Sequence, residues 1–162
     1  MILLAALVGM HLPLTAQKDP LKVAVIGLTH THVHWIFGSE KRGEIWITGI
    51  VEPNRELARR YADQYEFLMD IVYQSAEELL TREKPEAVTA FGTIYDHLSV
   101  VEFFAPLGIH VMVEKPLAVS LDHAKKMASL AQKHSIHLLT NYETTWYPTN
   151  HRAFEVVKKE GV

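Results

Sequence analysis

Short apolar runs alternate along this chain with longer stretches in which apolar residues recur at helical spacing. The runs predicted as strands are Lys22–Ile26, Ile45–Val51, Ala87–Phe91, His110–Val113 and His137–Thr140. The stretches predicted as helices are Asn54–Tyr65, a short segment opened by Ser75, Ser99–Ala105, Leu121–His134 and Arg152–Glu160. Apolar strands separated by helices are typical of a parallel sheet that is covered on both faces. The pattern therefore predicts a doubly wound α/β domain over residues 18–162, with a ligand crevice at the carboxyl ends of its strands.

The N-terminal residues have a different pattern. Residues 2–14 are almost wholly apolar, and the small residue Ala16 precedes the polar Gln17. This arrangement predicts a cleavable export signal over residues 1–17 and a periplasmic or secreted protein. Because no Lys or Arg precedes the apolar run, an ordinary N-terminal helix of a cytoplasmic protein is the alternative. The run is shorter than the about 20 residues that cross a bilayer, so no membrane association is expected after cleavage.

Composition and charge exclude several classes of function. The 162 residues include 16 Lys and Arg against 19 Asp and Glu, a net charge of −3. Without a basic cluster, nucleic-acid binding is not expected. Cysteine is absent, which excludes disulfides, iron–sulfur clusters and cysteine nucleophiles. The chain is also too short for an eight-stranded α/β barrel, which needs about 200 residues or more.

The turn after the first predicted strand matches part of a dinucleotide-binding fingerprint. The fingerprint is Gly-x-Gly-x-x-Gly between a strand and a helix, and residues 27–32 read Gly-Leu-Thr-His-Thr-His. Only Gly27 matches it. Thr29 replaces the glycine that lets backbone approach phosphate, although its hydroxyl can donate a hydrogen bond there instead. The strand and helix on either side nevertheless predict a Rossmann-type sheet that binds a dinucleotide at this turn.

Glu52 is the candidate ribose-binding residue. It follows the second predicted strand, where the fingerprint has an acidic residue about 20 positions further along the chain. A carboxylate there accepts hydrogen bonds from the ribose hydroxyls, which favours NAD, with NADP as the alternative cofactor. The competing interpretation is a solvated carboxylate beside the turn at Pro53.

Histidines at positions 30, 32 and 34 suggest a metal site. On a strand they would share one face, as in metal-dependent amidohydrolases. The turn begins at Gly27, however, so His30, His32 and His34 are expected in a loop and a helix, where they can cap the helix or contact phosphate. A metal site needs more than a pair of imidazoles, and no third ligand is evident in the sequence. We therefore expect no metal.

The tripeptide Glu114-Lys115-Pro116 follows the predicted strand His110–Val113. A lysine at a strand end, inside the crevice, can hydrogen-bond a substrate hydroxyl beside a nicotinamide, so Lys115 is the candidate catalytic residue. Pro116 restricts the backbone and permits a cis bond. The alternative is a Glu–Lys pair on the surface, which stabilises a fold very little.

These motifs resemble the nucleotide-binding domain of the glucose-fructose oxidoreductase/inositol dehydrogenase family (Gfo/Idh/MocA). The resemblance covers about residues 22–162. Its most specific mark is Glu-Lys-Pro after a strand, followed by an Ala-rich helix. Residues 93–97 keep the Thr and His of a second family motif, as Thr93 and His97, and replace its Pro-Asn step.

The resemblance also implies roles for particular residues. Lys115 corresponds to the family's catalytic lysine, and Glu52 to its ribose-binding acid. The implied cofactor contacts are Gly27, Leu28, Thr29, His30, Glu52, Thr93, His97, Glu114, Lys115 and Pro116. The substrate pocket is expected near Asn141, Tyr142 and Trp146, with a core or surface role as an equal alternative for Tyr142 and Trp146.

The activity that the resemblance implies is NAD(P)-dependent oxidation of a sugar, cyclitol or related polyol by hydride transfer. A glycosidase that uses bound NAD transiently and a non-catalytic nucleotide- or sugar-binding module are the alternatives. Family members continue into a second α/β domain, which supplies most substrate contacts. We therefore expect this chain to be a fragment that is inactive alone, and the full-length form to be a homo-oligomer.

Overall fold

The computed structural model describes residues 19–161, which form a sheet of six parallel strands with helices between them. The strands are β1 Leu21–Ile26, β2 Ile45–Val51, β3 Val72–Tyr73, β4 Ala87–Ala90, β5 His110–Glu114 and β6 Leu138–Asn141. The helices are α1 Val33–Lys41, α2 Arg55–Tyr65, α3 Ala76–Arg82, α4 His97–Phe104, α5 Leu121–His134 and α6 Pro148–Glu160.

The strand order is β3-β2-β1-β4-β5-β6. Because every pairing is parallel, the carboxyl ends of all six strands lie at the same end of the sheet. The chain starts at the middle of the sheet, builds one half and returns to build the other, which leaves a crevice between the loops after β1 and β4. In the pairing, Ile26 lies opposite both Val51 and Ala90, and Glu114 lies opposite Asn141. We call this end of the sheet, with the loops that follow the strands, the carboxyl edge. The predicted doubly wound Rossmann-type fold is confirmed.

The core consists of two apolar clusters, one on each face of the sheet. Helices α1 and α2 contribute Phe37 and Tyr61 to one cluster, while α4 and α5 contribute Phe104 and Met127 to the other. Burying a large apolar side chain contributes roughly 1.5–3 kcal/mol, so packing on both faces fixes the strands firmly. The loops at the carboxyl edge are therefore mounted on a rigid support.

Several boundaries differ from the predicted ones. Strand β3 has only two residues, too few for alternation to be recognised. Helix α4 begins at His97 rather than Ser99, and α6 begins at Pro148 rather than Arg152. Proline is favoured in the first turn of a helix because the N–H groups of that turn have no partners within the helix. The apolar spacing begins only at Arg152, so it did not predict a helix start at Pro148.

The predicted export signal, residues 1–17, lies outside the described residues and stays a prediction. Within residues 19–161, none of the helices is long and apolar enough to cross a membrane.

Candidate functional site

The turn from β1 to α1 lies close against the end of β4. Gly27 has a φ of +81°, in the left-handed region that favours glycine. Its N–H donates to the carbonyl of Val51 at 2.8 Å. A Cβ at this position would lie 2.8 Å from the amide nitrogen of Gly92, which is closer than a side chain can approach. The one glycine of the fingerprint that this chain retains is therefore the one that its backbone requires.

Glu52 is buried at the end of β2, with 4% of its surface exposed. One carboxylate oxygen accepts the N–H of Leu28 at 2.9 Å, and the other accepts the N–H of Asn54 at 2.9 Å. The interpretation of Glu52 as a solvated carboxylate is therefore wrong. Leu28 is itself fully buried, and its N–H, which already donates to Glu52, is not free for a phosphate.

The hydroxyl of Thr29 has a hydrogen-bond partner within the chain. It donates to the carbonyl of Phe91 at 3.2 Å, and the N–H of His30 donates to the same carbonyl at 2.9 Å. A hydrogen bond from this hydroxyl to phosphate stays a prediction, and it would require the bond to Phe91 to break. Thr29 and His30 both tie the turn to the end of β4.

Glu114, the last residue of β5, is surrounded by side-chain donors. It is 1% exposed, and its Oε1 accepts a hydrogen bond from the amide nitrogen of Asn141 at 2.7 Å. Its Oε2 lies 3.0 Å from Nδ1 of His32. The same oxygen lies 3.6 Å from Nε2 of His30 and 3.6 Å from Nζ of Lys115. The alternative of a surface Glu–Lys pair is therefore wrong, because the carboxylate is buried.

The histidines lie where the sequence placed them, with His30 and His32 in the loop and His34 in α1. His30, His32 and Glu114 each offer a ligand atom, and these atoms lie within 4.8 Å of one another. The expectation that the pair lacks a third partner is wrong. Burial lowers the pKa of His30 below its usual range, with the Glu114 carboxylate opposing the shift and His32 adding to it. The neutral imidazole is favoured as a result.

Lys115 begins the loop that leaves β5, and its side chain is 42% exposed. The bond between Lys115 and Pro116 is cis, as the sequence permits. The loop is supported from below by His97, whose ring is buried and bonds through Nδ1 to the carbonyl of Leu117 at 3.1 Å. Lys115 is thus held at the carboxyl edge with its ammonium group directed toward the Glu114 carboxylate.

His97 and Thr93 have partners within the chain. Burial lowers the pKa of His97, opposed by the hydrogen bond to Leu117 and by the carboxylates of Glu114 and Asp96. The Nε2 of this ring is buried, and no group of the described residues forms a hydrogen bond with it. The hydroxyl of Thr93 donates to Asp96 at 2.5 Å. Contacts between these two residues and a cofactor stay a prediction, and their observed role is to shape the loop.

The segment after β6 contains the residues expected near a substrate. Asn141 belongs to the group of polar side chains around Glu114, because its side chain hydrogen-bonds that carboxylate, whereas Tyr142 is 56% exposed. Trp146 lies in the short turn Glu143–Trp146, and its side chain is outside the described residues. Glu143 was not among the predicted site residues, and its Oε2 lies 3.7 Å from Nδ1 of His32. Its signal in the sequence is its position two residues after the end of β6.

A strand order that reverses between β1 and β4, a glycine turn and a buried acid after β2 are together typical of a dinucleotide-binding Rossmann domain. Residues 21–142 match the GFO_IDH_MocA family, described as "Oxidoreductase family, NAD-binding Rossmann fold", and the chain belongs to that family. The resemblance inferred from the sequence is confirmed.

Individual relatives match over most of this chain. The D-apiose dehydrogenase of Paraburkholderia graminis is 27% identical over 83% of the chain and 35% of its own length. The D-xylose 1-dehydrogenase [NADP(+)] of Haloarcula marismortui is 24% identical over 88% of the chain and 40% of its own length. An oxidoreductase of Agrobacterium radiobacter, solved in complex with NAD+, L-tartaric acid and magnesium, superimposes with a TM-score of 0.75 at 25% identity. That match covers 87% of this chain and 40% of the other, so the chain spans well under half of these relatives.

Proposed function

We propose that this chain binds NAD or NADP along its carboxyl edge, and that the whole protein oxidises a hydroxyl group of a sugar, cyclitol or related polyol. The observation that carries the proposal is the placement of Lys115. Its ammonium group lies at the end of β5, 3.6 Å from the buried carboxylate of Glu114 and on the crevice side of the sheet. A dehydrogenase needs such a donor beside the carbon that loses a hydride.

The residues of the carboxyl edge fit a dinucleotide. The close approach of Gly27 to Gly92 keeps the turn free of side-chain bulk where a dinucleotide crosses the sheet. Each oxygen of Glu52 accepts one backbone N–H and has a further lone pair that a ribose hydroxyl can use. When bound, the nicotinamide supplies the hydride acceptor.

The chain's own groups would handle the substrate proton. With its amine unprotonated, Lys115 Nζ would accept the proton of the substrate hydroxyl when the carbon is oxidised, and the ammonium group so formed would release that proton to solvent. Glu114 positions Lys115, because its fixed carboxylate lies close to the ammonium group. Two of the relatives are sugar dehydrogenases, D-apiose dehydrogenase and D-xylose 1-dehydrogenase, which supports the substrate class.

The test is Lys115→Met in the whole protein, because methionine keeps much of the bulk and removes all three donors. We expect turnover to fall by about 10²–10⁴-fold, the usual range for the loss of a general acid–base group. NAD affinity should change far less, since Lys115 faces the substrate. The assay follows NADH formation with a panel of sugars and polyols, alongside calorimetric titration with NAD.

A matched control is Lys126→Met. Lys126 forms an exposed ion pair with Glu102 between α5 and α4, away from the carboxyl edge. It should leave both measurements unchanged. Intact turnover in Lys115→Met would refute the catalytic role, and loss of NAD binding would assign the lysine to the cofactor. Sugar turnover without net NADH would instead indicate the glycosidase alternative.

A further inference from the structure

We propose that His30, His32 and Glu114 bind a divalent transition-metal ion, of which zinc is the best fit, at the carboxyl edge beside Lys115. The proposal rests on the side chains of the loop after β1 and the end of β5. It does not depend on nucleotide binding or on the reaction proposed above.

The ligand atoms are already close to coordination geometry. Zinc binds imidazole nitrogen and carboxylate oxygen at about 2.0–2.2 Å, which places tetrahedral ligand atoms roughly 3.3–3.5 Å apart. Oε2 of Glu114 lies 3.0 Å from Nδ1 of His32 and 3.6 Å from Nε2 of His30. All three ligand atoms lie within 4.8 Å of one another, so a small inward movement of His30 completes the triangle.

The groups around these ligands orient them as metal sites require. The amide of Asn141 donates to Oε1 of Glu114 at 2.7 Å, which fixes the carboxylate and leaves Oε2 for an ion. Glu143 brings a second carboxylate oxygen to 3.7 Å from Nδ1 of His32. Two neutral imidazoles and one or two carboxylates, with a position left for water or substrate, form the donor set of open zinc sites. The two negative charges balance a divalent ion.

Two existing contacts must change when the ion binds. The ion takes the place of the direct contact between Nδ1 of His32 and Oε2 of Glu114. Nδ1 of His30 now accepts the N–H of His32 at 3.2 Å, and coordination through Nε2 moves the ring proton to Nδ1 and ends that bond. This change costs binding energy, so His30 should be the weakest ligand. Lys115 Nζ lies 3.6 Å from the same carboxylate oxygen, so a bound ion competes with the ammonium group for Glu114 and should weaken the positioning of Lys115.

The test is titration of the purified chain, first stripped with a chelator, with zinc by calorimetry and with cobalt by visible absorption. We expect one zinc ion per chain, and cobalt bands of the intensity given by four- or five-coordinate sites. Glu114→Gln and His32→Gln should each weaken zinc binding by more than about 100-fold, since loss of a supporting residue alone costs 10–100-fold. His30→Gln should weaken it less than either.

His151→Gln is the matched control. His151 also lies beside a glutamate, 3.2 Å from Glu155 on α6, but lacks a second histidine. It should leave the zinc affinity unchanged. Far-ultraviolet circular dichroism checks that each variant is folded, and His32→Gln provides the decisive test if Glu114→Gln is not.

Three outcomes would overturn the proposal: no zinc binding, zinc binding that is unchanged in Glu114→Gln and His32→Gln, or binding that is lost in His151→Gln. Titration of the same samples with NAD separates this proposal from the proposed function. A chain that binds NAD and no metal refutes only the metal site. A chain that binds zinc and no NAD refutes only the nucleotide site.

Discussion

The ends of β2 and β5 each place a buried glutamate at the carboxyl edge, but the two carboxylates have different partners. Glu52 is 4% exposed and accepts the backbone N–H groups of Leu28 and Asn54. Glu114 is 1% exposed, and its polar contacts among the described residues are with side chains, including those of His32, Asn141 and Lys115. Backbone amides cannot turn away or change their protonation, whereas imidazoles and ammonium groups can do both. The hydrogen bonds of Glu52 at the end of β2 are therefore fixed, whereas the side chains around Glu114 at the end of β5 can move and can exchange protons or ions.

The strongest way to break this comparison is to make the same substitution at both glutamates. Glu52→Gln keeps one acceptor oxygen and turns an NH2 group toward a backbone N–H, which leaves a buried donor unpaired. We expect a loss of about 2–3 kcal/mol in the free energy of unfolding, because hydrogen bonds to charged groups are worth about 1.5–3 kcal/mol each. Glu114→Gln should cost about 1 kcal/mol or less, since His32 can change tautomer to accept from the new amide.

Urea denaturation of the two variants and the unsubstituted chain measures this difference. Equal losses would show that the side-chain donors around Glu114 are as fixed as the backbone donors around Glu52. A larger loss at Glu114 would reverse the comparison.

A second test of the comparison between Glu52 and Glu114 is the selectivity for NAD over NADP. Glu52 should favour NAD over NADP, because a carboxylate accepts from a 2′-hydroxyl and repels a 2′-phosphate. We expect a preference of about tenfold, or 1.4 kcal/mol, that Glu52→Gln reduces and Glu114→Gln leaves unchanged. Calorimetric titration with both cofactors gives the ratio. Equal or tighter binding of NADP, unchanged in Glu52→Gln, would refute the ribose-binding role.

The contrast also shows what the sequence could predict. Apart from the two-residue β3, the strands were predictable because each one, as in β1, is a short run of mainly apolar residues. Gly27 and Glu52 were predictable because local spacing relative to a strand fixes their places. The partners of Glu52 were not, because both are backbone N–H groups, which every residue other than proline carries.

The cluster around Glu114 could be predicted only in part. Asn141 lies opposite Glu114 in the parallel pairing of β5 and β6, so strand order alone brings them together. His32 and Glu143 arrive from loops, and their side-chain directions depend on turn geometry that no periodicity encodes. The proximity of Glu114 to His30 and His32 therefore cannot be read from the sequence.

The smallest expected effect is a pH dependence that belongs to the β5 end alone. His97 supports the loop that carries Lys115, and burial lowers the pKa of its ring from the ordinary value of 6.5. As the pH falls below 6.5, the unfolded chain takes up a proton at this ring before the folded chain does, so stability falls until the folded pKa is passed. Above pH 6.5 this contribution is fully present. The charged groups that face His97, the carboxylates of Glu114 and Asp96, reduce the effect and do not reverse it.

His97→Asn keeps an N–H donor near Leu117 and removes the titration, so its unfolding free energy should decline less between pH 7 and pH 5 than that of the unsubstituted chain. His151→Asn, at an exposed position of α6, should follow the unsubstituted chain. Parallel pH profiles for the unsubstituted chain and His97→Asn would show that burial does not lower the pKa of the His97 ring, and would refute its part in the pH dependence.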